Sequence, residues 1–130
     1  AIFYPGGFGL LSDLATNADF AKIAANHYEG GGVIAAVCHG PAGLLPITLS
    51  NGVKLLSNKS VTGFTREEEI DYGTINDVPF LLEELLTRSA ARYNKVQPWG
   101  VFVIEDDRVI TGQNPASAHA VGDALIKLLG

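Results

Sequence analysis

The chain has 130 residues, 47% of them hydrophobic and 18% charged, which is one domain's worth and too apolar for intrinsic disorder. Its net charge of −5 argues against nucleic acid or an anionic membrane surface as a main partner. The single cysteine excludes an intrachain disulfide, no structural zinc spacing is present, and no apolar run approaches the ~18–20 residues of a membrane span.

Ile2–Tyr4 reads as a strand that breaks at Pro5-Gly6-Gly7. Asn17 is placed to cap a helix whose apolar face carries Phe20, Ile23, Ala24 and Tyr28, and Gly30-Gly31-Gly32 stops it. Val33–Val37 is continuously apolar, as a central parallel strand covered on both faces would be. Gly40-Pro41 starts a second helix, and Asn51-Gly52 marks a turn. Ser60–Phe64 reads as a short strand running into the acidic cluster Glu67-Glu68-Glu69. Phe80–Leu86 is helical in pattern, with Val78-Pro79 at its entrance. Val101–Ile104 and Arg108–Thr111 make a β-hairpin around Glu105-Asp106-Asp107, and Ala116–Leu129 closes the chain as a helix. Strands alternate with helices over short connections, so the expected fold is α/β: a mainly parallel sheet with helices on both faces, in one domain over residues 1–130. The chain has no methionine and opens inside a strand, which leads us to expect a further segment upstream.

The segment that carries chemistry runs from Gly31 to Gly43. An apolar strand delivers Cys38 to a turn and a helix is expected to start at once. Ala36-x-Cys38-x-Gly40 puts small residues two positions either side of the sulfur, the steric requirement of a nucleophile elbow. Such a turn strains the backbone and raises the side chain above the sheet. A helix N-terminus beside it would favour the thiolate, and the His39 N–H could bind a developing oxyanion. The plain alternative is a small buried hydrophobe, the usual fate of a lone cysteine behind an apolar strand. Neighbouring side chains in a sharp turn also diverge, so His39 need not touch Cys38.

Ala36-Val37-Cys38-His39-Gly40-Pro41-Ala42 resembles the nucleophile segment of the ThiJ/PfpI superfamily, within the flavodoxin-like class I glutamine amidotransferase-like fold. Pro5-Gly6-Gly7-Phe8-Gly9 with Asp13-Leu14, Val61-Thr62-Gly63-Phe64-Thr65 with Glu68-Glu69, and Ile110 through Ser117 extend the resemblance across essentially the whole chain. Together they are similar to the heat-shock-type branch, known as glyoxalase III, D-lactate dehydratase or protein deglycase and chaperone.

The resemblance implies a Cys-His-acid arrangement of Cys38, His39 and Glu69, with Glu68 the nearest competitor and a solvated acidic helix start the alternative for the whole cluster. It implies an oxyanion hole from the N–H groups of Gly7 and His39, although Gly6-Gly7 alone is also an ordinary turn. Phe8, where many relatives carry histidine, Trp99 and Asn114 are placed around the substrate pocket. Trp99 with Pro98 could equally pack on the hairpin, and Asn114 with Ser117 could organise a helix cap. His27 reads as a helix-end cation, and His119 stands at a helix start with an open role. The family's fold begins with a strand and helix that supply a glutamate near the cysteine, with no counterpart before Ala1, so an incomplete N-terminus is expected.

The implied function is cofactor-free, metal-free conversion of a small dicarbonyl such as methylglyoxal to lactate through a cysteine hemithioacetal, in a cytoplasmic homodimer. The rivals are a stress-protective holdase or redox sensor using Cys38, and a cysteine peptidase. Glutamine amidotransfer is disfavoured, because no His-x-Glu pair follows the cysteine.

Overall fold

The structure, a computed structural model, describes residues 1–130. Its sheet has the order β1-β2-β6-β5, with β1 Ile2–Tyr4, β2 Ile34–Val37, β5 Val103–Asp106 and β6 Val109–Gly112. β1, β2 and β6 run parallel, and β5 is the antiparallel edge of the hairpin. β2 and β6 are buried along their whole length, so both sheet faces are covered at the centre, and this is why Val33–Val37 shows no polar alternation. The α/β architecture expected from the sequence is present.

Five helices connect and cover the strands: α1 Leu10–Asp13, α2 Ala18–Glu29, α3 Arg66–Tyr72, α4 Leu82–Ser89 and α5 Ala118–Leu129. Asn17 caps α2 by accepting the N–H groups of Asp19 and Phe20 at 3.1 and 3.0 Å. The buried face of α2 is Ala21, Ala24, Ala25 and Tyr28, whereas Phe20 and Ile23 point to solvent. Both sets have helical spacing; the alanine stripe is the one turned inward, offset from the face expected. Helix α5 lies against β6 so closely that a Cβ on Gly112 would collide with Val121. No helix is long and apolar enough to cross a membrane.

Several expectations are corrected in detail. The helix expected after Cys38 is only a short, fully buried 3₁₀ turn, Gly40–Leu44, which Pro46 follows. The strand expected over Ser60–Phe64 is confined to β3, Ser60–Val61, which pairs with β4, Arg92–Tyr93, in a separate two-stranded sheet. Beyond Val61 the backbone leaves that ladder: Thr62 N–H donates to Thr111 Oγ1 at 3.0 Å, and Phe64 N–H donates to the Cys38 carbonyl at 2.9 Å. The segment is thus tied beside the cysteine rather than into a sheet. The hairpin strands lie one to two residues later than their pattern suggested, because the turn is Asp107-Arg108. Asp107 adopts φ 54°, its carboxylate accepts the Tyr28 hydroxyl at 2.8 Å, and the Arg108 guanidinium lies 4.0 Å from the Tyr28 ring centre. Neither α1 nor β4 had a distinct sequence pattern.

Candidate active site

Cys38 stands at the C-terminal end of β2 with φ 63°, a left-handed conformation that a side chain other than glycine adopts only under constraint. Two bonds impose it: the Cys38 N–H donates to the Gly112 carbonyl at 3.0 Å, and its carbonyl accepts from Phe64. The small flanking residues now have a physical reason. A Cβ on Gly40 would collide with the Tyr4 carbonyl, and Ala36 is fully buried in the central strand. The turn has the elbow geometry that the sequence led us to expect.

His39 does reach its neighbour. Its Nδ1 lies 3.5 Å from Cys38 Sγ, and its Nε2 lies 2.7 Å from Glu69 Oε2. A carboxylate only accepts, so Nε2 carries the hydrogen and the Nδ1 lone pair faces the sulfur. Glu69 is held in turn by the Thr74 hydroxyl, which donates to Oε1 at 2.5 Å. Both His39 and Glu69 are buried, and the Phe64 ring covers the imidazole at 4.4 Å between centres.

Glu68, the competitor for the acid position, does different work. With Thr65 it forms a capping box at the start of α3, accepting the Thr65 N–H at 3.0 Å. Its other oxygen accepts Trp99 N–H at 2.8 Å and Asn114 Nδ2–H at 2.7 Å. The Thr65-x-x-Glu68 spacing is a sequence signal that assigns Glu68 to the cap and leaves Glu69 to face His39. Thr74, which steadies Glu69, was missed; it follows the Gly73 left-handed cap of α3, which turns the chain back under the helix.

The elbow does not favour the thiolate in the resting protein. Burial pushes the Cys38 thiol up to about 11, against the lowering influence of the nearby His39 and Gly7 N–H groups, while Glu68 and Glu69 raise it further. The expected helix N-terminus is absent, since one buried 3₁₀ turn supplies no comparable dipole. The sulfur is therefore held as a thiol, with His39 Nδ1 3.5 Å away.

Cys38 and His39 form the floor of a cavity of ≈ 370 Å³. Phe8, Phe64, Tyr72 and Trp99 supply aromatic walls, and Gly7 and Gly9 the remaining loop side. Phe8 and Trp99 line the cavity. Asn114 does not: it is fully buried, bonded to Glu68, the Gly100 carbonyl and Ser117, and its neighbour Pro115 forms the wall instead. Phe64, Tyr72 and Pro115 are wall residues that no sequence motif singled out as such. Gly6 and Gly7 have φ 109° and 98°, which let the loop bring an N–H to the sulfur. His119 is exposed and pairs with Asp123, and His27 is packed against Gly32, so neither shares the site. No group of three His, Cys, Asp or Glu side chains converges in a way that could hold a metal ion.

Such an elbow, with a cysteine, a histidine and a buried carboxylate in series at the end of a parallel strand, places the chain among α/β proteins that carry a cysteine elbow. The chain belongs to the DJ-1/PfpI family, which it matches over residues 1–128. It is 35% identical to a probable glutathione-independent glyoxalase, hsp3103, of Schizosaccharomyces pombe, an alignment covering 98% of this chain and 52% of that protein. It is 39% identical to the glutathione-independent glyoxalase HSP31 of Saccharomyces cerevisiae, over 91% of this chain and 52% of the relative. The crystal structure of glyoxalase III from Candida albicans superposes with a TM-score of 0.89 at 33% identity, covering 96% of this chain and 55% of that one. The chain therefore spans about half the length of the curated relatives it matches.

Proposed function

We propose that Cys38, His39 and Glu69 carry out glutathione-independent conversion of a 2-oxoaldehyde, methylglyoxal in the simplest case, to the 2-hydroxy acid lactate. One observation carries the reading: the unbroken series Cys38 Sγ, His39 Nδ1 at 3.5 Å, and His39 Nε2 to Glu69 Oε2 at 2.7 Å. The names of the relatives point the same way.

In the first step the Cys38 thiol proton passes to His39 Nδ1 as the sulfur bonds to the aldehyde carbon. The carbonyl π electrons move to oxygen, whose charge the N–H groups of Gly7 and His39, both close to the sulfur, hold. That oxygen takes the proton back from the imidazolium, leaving a neutral hemithioacetal. The freed imidazole then removes the hydrogen from the former aldehyde carbon, giving an enediolate; the hydroxyl proton on that carbon passes to the neighbouring oxygen, and the imidazolium returns its proton to the adjacent carbon. The product is a 2-hydroxy thioester, so one carbon is oxidised as its neighbour is reduced and no external redox partner is needed. Water, activated by His39, displaces the sulfur, which regains its proton as the hydroxy acid leaves. Glu69 keeps the imidazole in the required tautomer and balances the imidazolium at each stage.

The test is methylglyoxal consumption and lactate formation without glutathione, for wild type and Cys38→Ser. Turnover lost in the variant, with its fold intact by circular dichroism, is expected; turnover retained overturns the assignment of Cys38. On the same resemblance the reading extends to a homodimer in the cytoplasm, and sedimentation equilibrium checks the first of these.

A further inference from the structure

Trp99 is the only tryptophan of the chain and one of three non-glycine residues with positive φ, at 65°. The other two have evident reasons, since Cys38 makes the elbow and Asp107 the hairpin turn. Trp99 lies between β4 and β5 at the third position of the turn Gln97-Pro98-Trp99-Gly100, closed by Gly100 N–H to the Gln97 carbonyl at 3.1 Å. Positive φ belongs to that position, but glycine is its usual occupant, so a bulky residue there must also be held by its surroundings. Two carboxylates hold it. Glu68 Oε2 accepts its backbone N–H at 2.8 Å, and Asp71 Oδ2 accepts its indole N–H at 2.6 Å. Glu68 is fully buried and also bonded to Thr65 and Asn114, so the clamp on the backbone is anchored in three segments of the fold.

The ring so held is set edge-on to Phe64 at 5.6 Å between centres, while Phe64 lies against the His39 imidazole. Tyr72 completes that side of the cavity, 6.3 Å from the indole. The space enclosed, ≈ 370 Å³, is far more than a methyl substituent needs. Its walls carry no lysine or arginine, and the carboxylate beside them, Asp71, is bonded to the indole. A substrate with an anionic substituent finds no partner here. An aryl substituent finds ring faces and edges in the arrangements that aromatic pairs favour.

We propose that Trp99, positioned by Glu68 and Asp71, is a specificity-determining residue that makes the site select 2-oxoaldehydes with an aryl or large apolar substituent over methylglyoxal. The inference rests on the reading of Cys38 as a nucleophile toward such aldehydes.

The experiment compares kcat and KM for phenylglyoxal and methylglyoxal in wild type, Trp99→Ala, Asp71→Ala and Asp71→Asn. Wild type shows the higher kcat/KM with phenylglyoxal. Trp99→Ala lowers that value about tenfold more than it lowers the methylglyoxal value, chiefly through KM. Asp71→Ala shifts the ratio in the same direction, and Asp71→Asn restores it because the amide oxygen still accepts the indole N–H. A wild type that prefers methylglyoxal, or equal losses on both substrates, overturns the proposal.

A second arm does not need turnover: acetophenone is titrated into Cys38→Ser while the emission of Trp99 is followed. Saturable quenching that weakens in Cys38→Ser/Asp71→Ala supports the aryl site, and quenching that is linear, or identical in the two proteins, overturns it. If wild type consumes neither aldehyde, the glyoxalase reading falls while the acetophenone arm alone decides this one.

Discussion

Replacing Glu69 with glutamine tests the acid-base series at its most buried point. Glu69 and His39 are 1% and 3% exposed, and they meet at 2.7 Å with no room for water to substitute. An amide can present its oxygen to the His39 Nε2–H, which preserves the tautomer but leaves the imidazolium without a counter-charge. It can instead present its NH₂ group, which forces the hydrogen to Nδ1, where the imidazole no longer accepts the thiol proton. Once the imidazolium forms, the pair is a buried charged one, and leaving it without its counter-charge costs about 3–5 kcal/mol. At about 1.4 kcal/mol per factor of ten, kcat is expected to fall roughly 10²–10⁴-fold. The assay is the initial rate of methylglyoxal loss, followed with thermal melting and the rate of Cys38 alkylation by iodoacetamide. A Glu69→Gln protein that melts like wild type and keeps kcat within about threefold would refute the role of the carboxylate, and with it the base assigned to His39.

The Cys38 thiol, pushed up to about 11 by burial, should alkylate slowly at neutral pH, with a rate that climbs to about that value; a plateau near pH 7 contradicts it. Because the folded pKa is raised, the folded state holds this proton longer than the unfolded chain. The associated stability is complete below about pH 9 and is lost as pH rises toward 11, so wild type should lose stability relative to Cys38→Ser across that window in denaturant titrations. Gly6→Ala forces a Cβ to 2.9 Å from the Val37 carbonyl at φ 109°, whereas Gly7→Ala at φ 98° meets nothing within 4 Å. Gly6→Ala should therefore destabilise by more than the ~1–3 kcal/mol of backbone strain expected at Gly7, and the reverse order of melting temperatures defeats the argument. Thr74→Val strips Glu69 Oε1 of its hydroxyl donor in a buried site, which should cost about 1–3 kcal/mol in stability and lower kcat in the direction of Glu69→Gln; an unchanged kcat shows that Thr74 does not steady the acid.

What was legible in the sequence is what depends on local sterics. The elbow could be recognised because a left-handed cysteine and a helix-like turn packed on Tyr4 leave no volume for side chains at position 40, and little at 36. The central strand could be recognised because burial on both faces erases alternation. The Asn17 cap was likewise written into a few adjacent residues, as was the Thr65 box, which the sequence reading passed over in favour of a plain acidic helix start. The face of α2 was not, since Phe20-Ile23 and Ala21-Ala25 both recur with helical spacing. What decides between them is how closely the helix must approach its neighbours, a tertiary property. The wall residues Tyr72 and Pro115 belong to separate segments that meet only after α3 and β6 are placed. Asn114 stood in the right motif but one residue from the wall, its amide consumed by the carboxylate that also anchors Trp99.

The electrostatics of the elbow show the same division more sharply. A strand, a cysteine and a helix start together suggest a preformed thiolate, because each element points to stabilised negative charge when considered alone. In the fold, the turn that follows is too short and too deeply buried to supply a dipole, and two carboxylates stand within reach of the sulfur. Those carboxylates are there for other reasons, Glu69 to orient His39 and Glu68 to clamp the cavity wall. A site that needs both must accept their repulsion of a thiolate. The proximity of His39 Nδ1 resolves this, because a proton that leaves the sulfur only as the carbon–sulfur bond forms never exposes a bare thiolate to either charge. The same argument makes the wall and the chemistry interdependent: neutralising Glu68 would ease ionisation of Cys38 while loosening Trp99. Glu68→Gln should accordingly alkylate faster at Cys38 yet bind aryl ligands more weakly, and a variant that moved both quantities in the same direction would break the link between them.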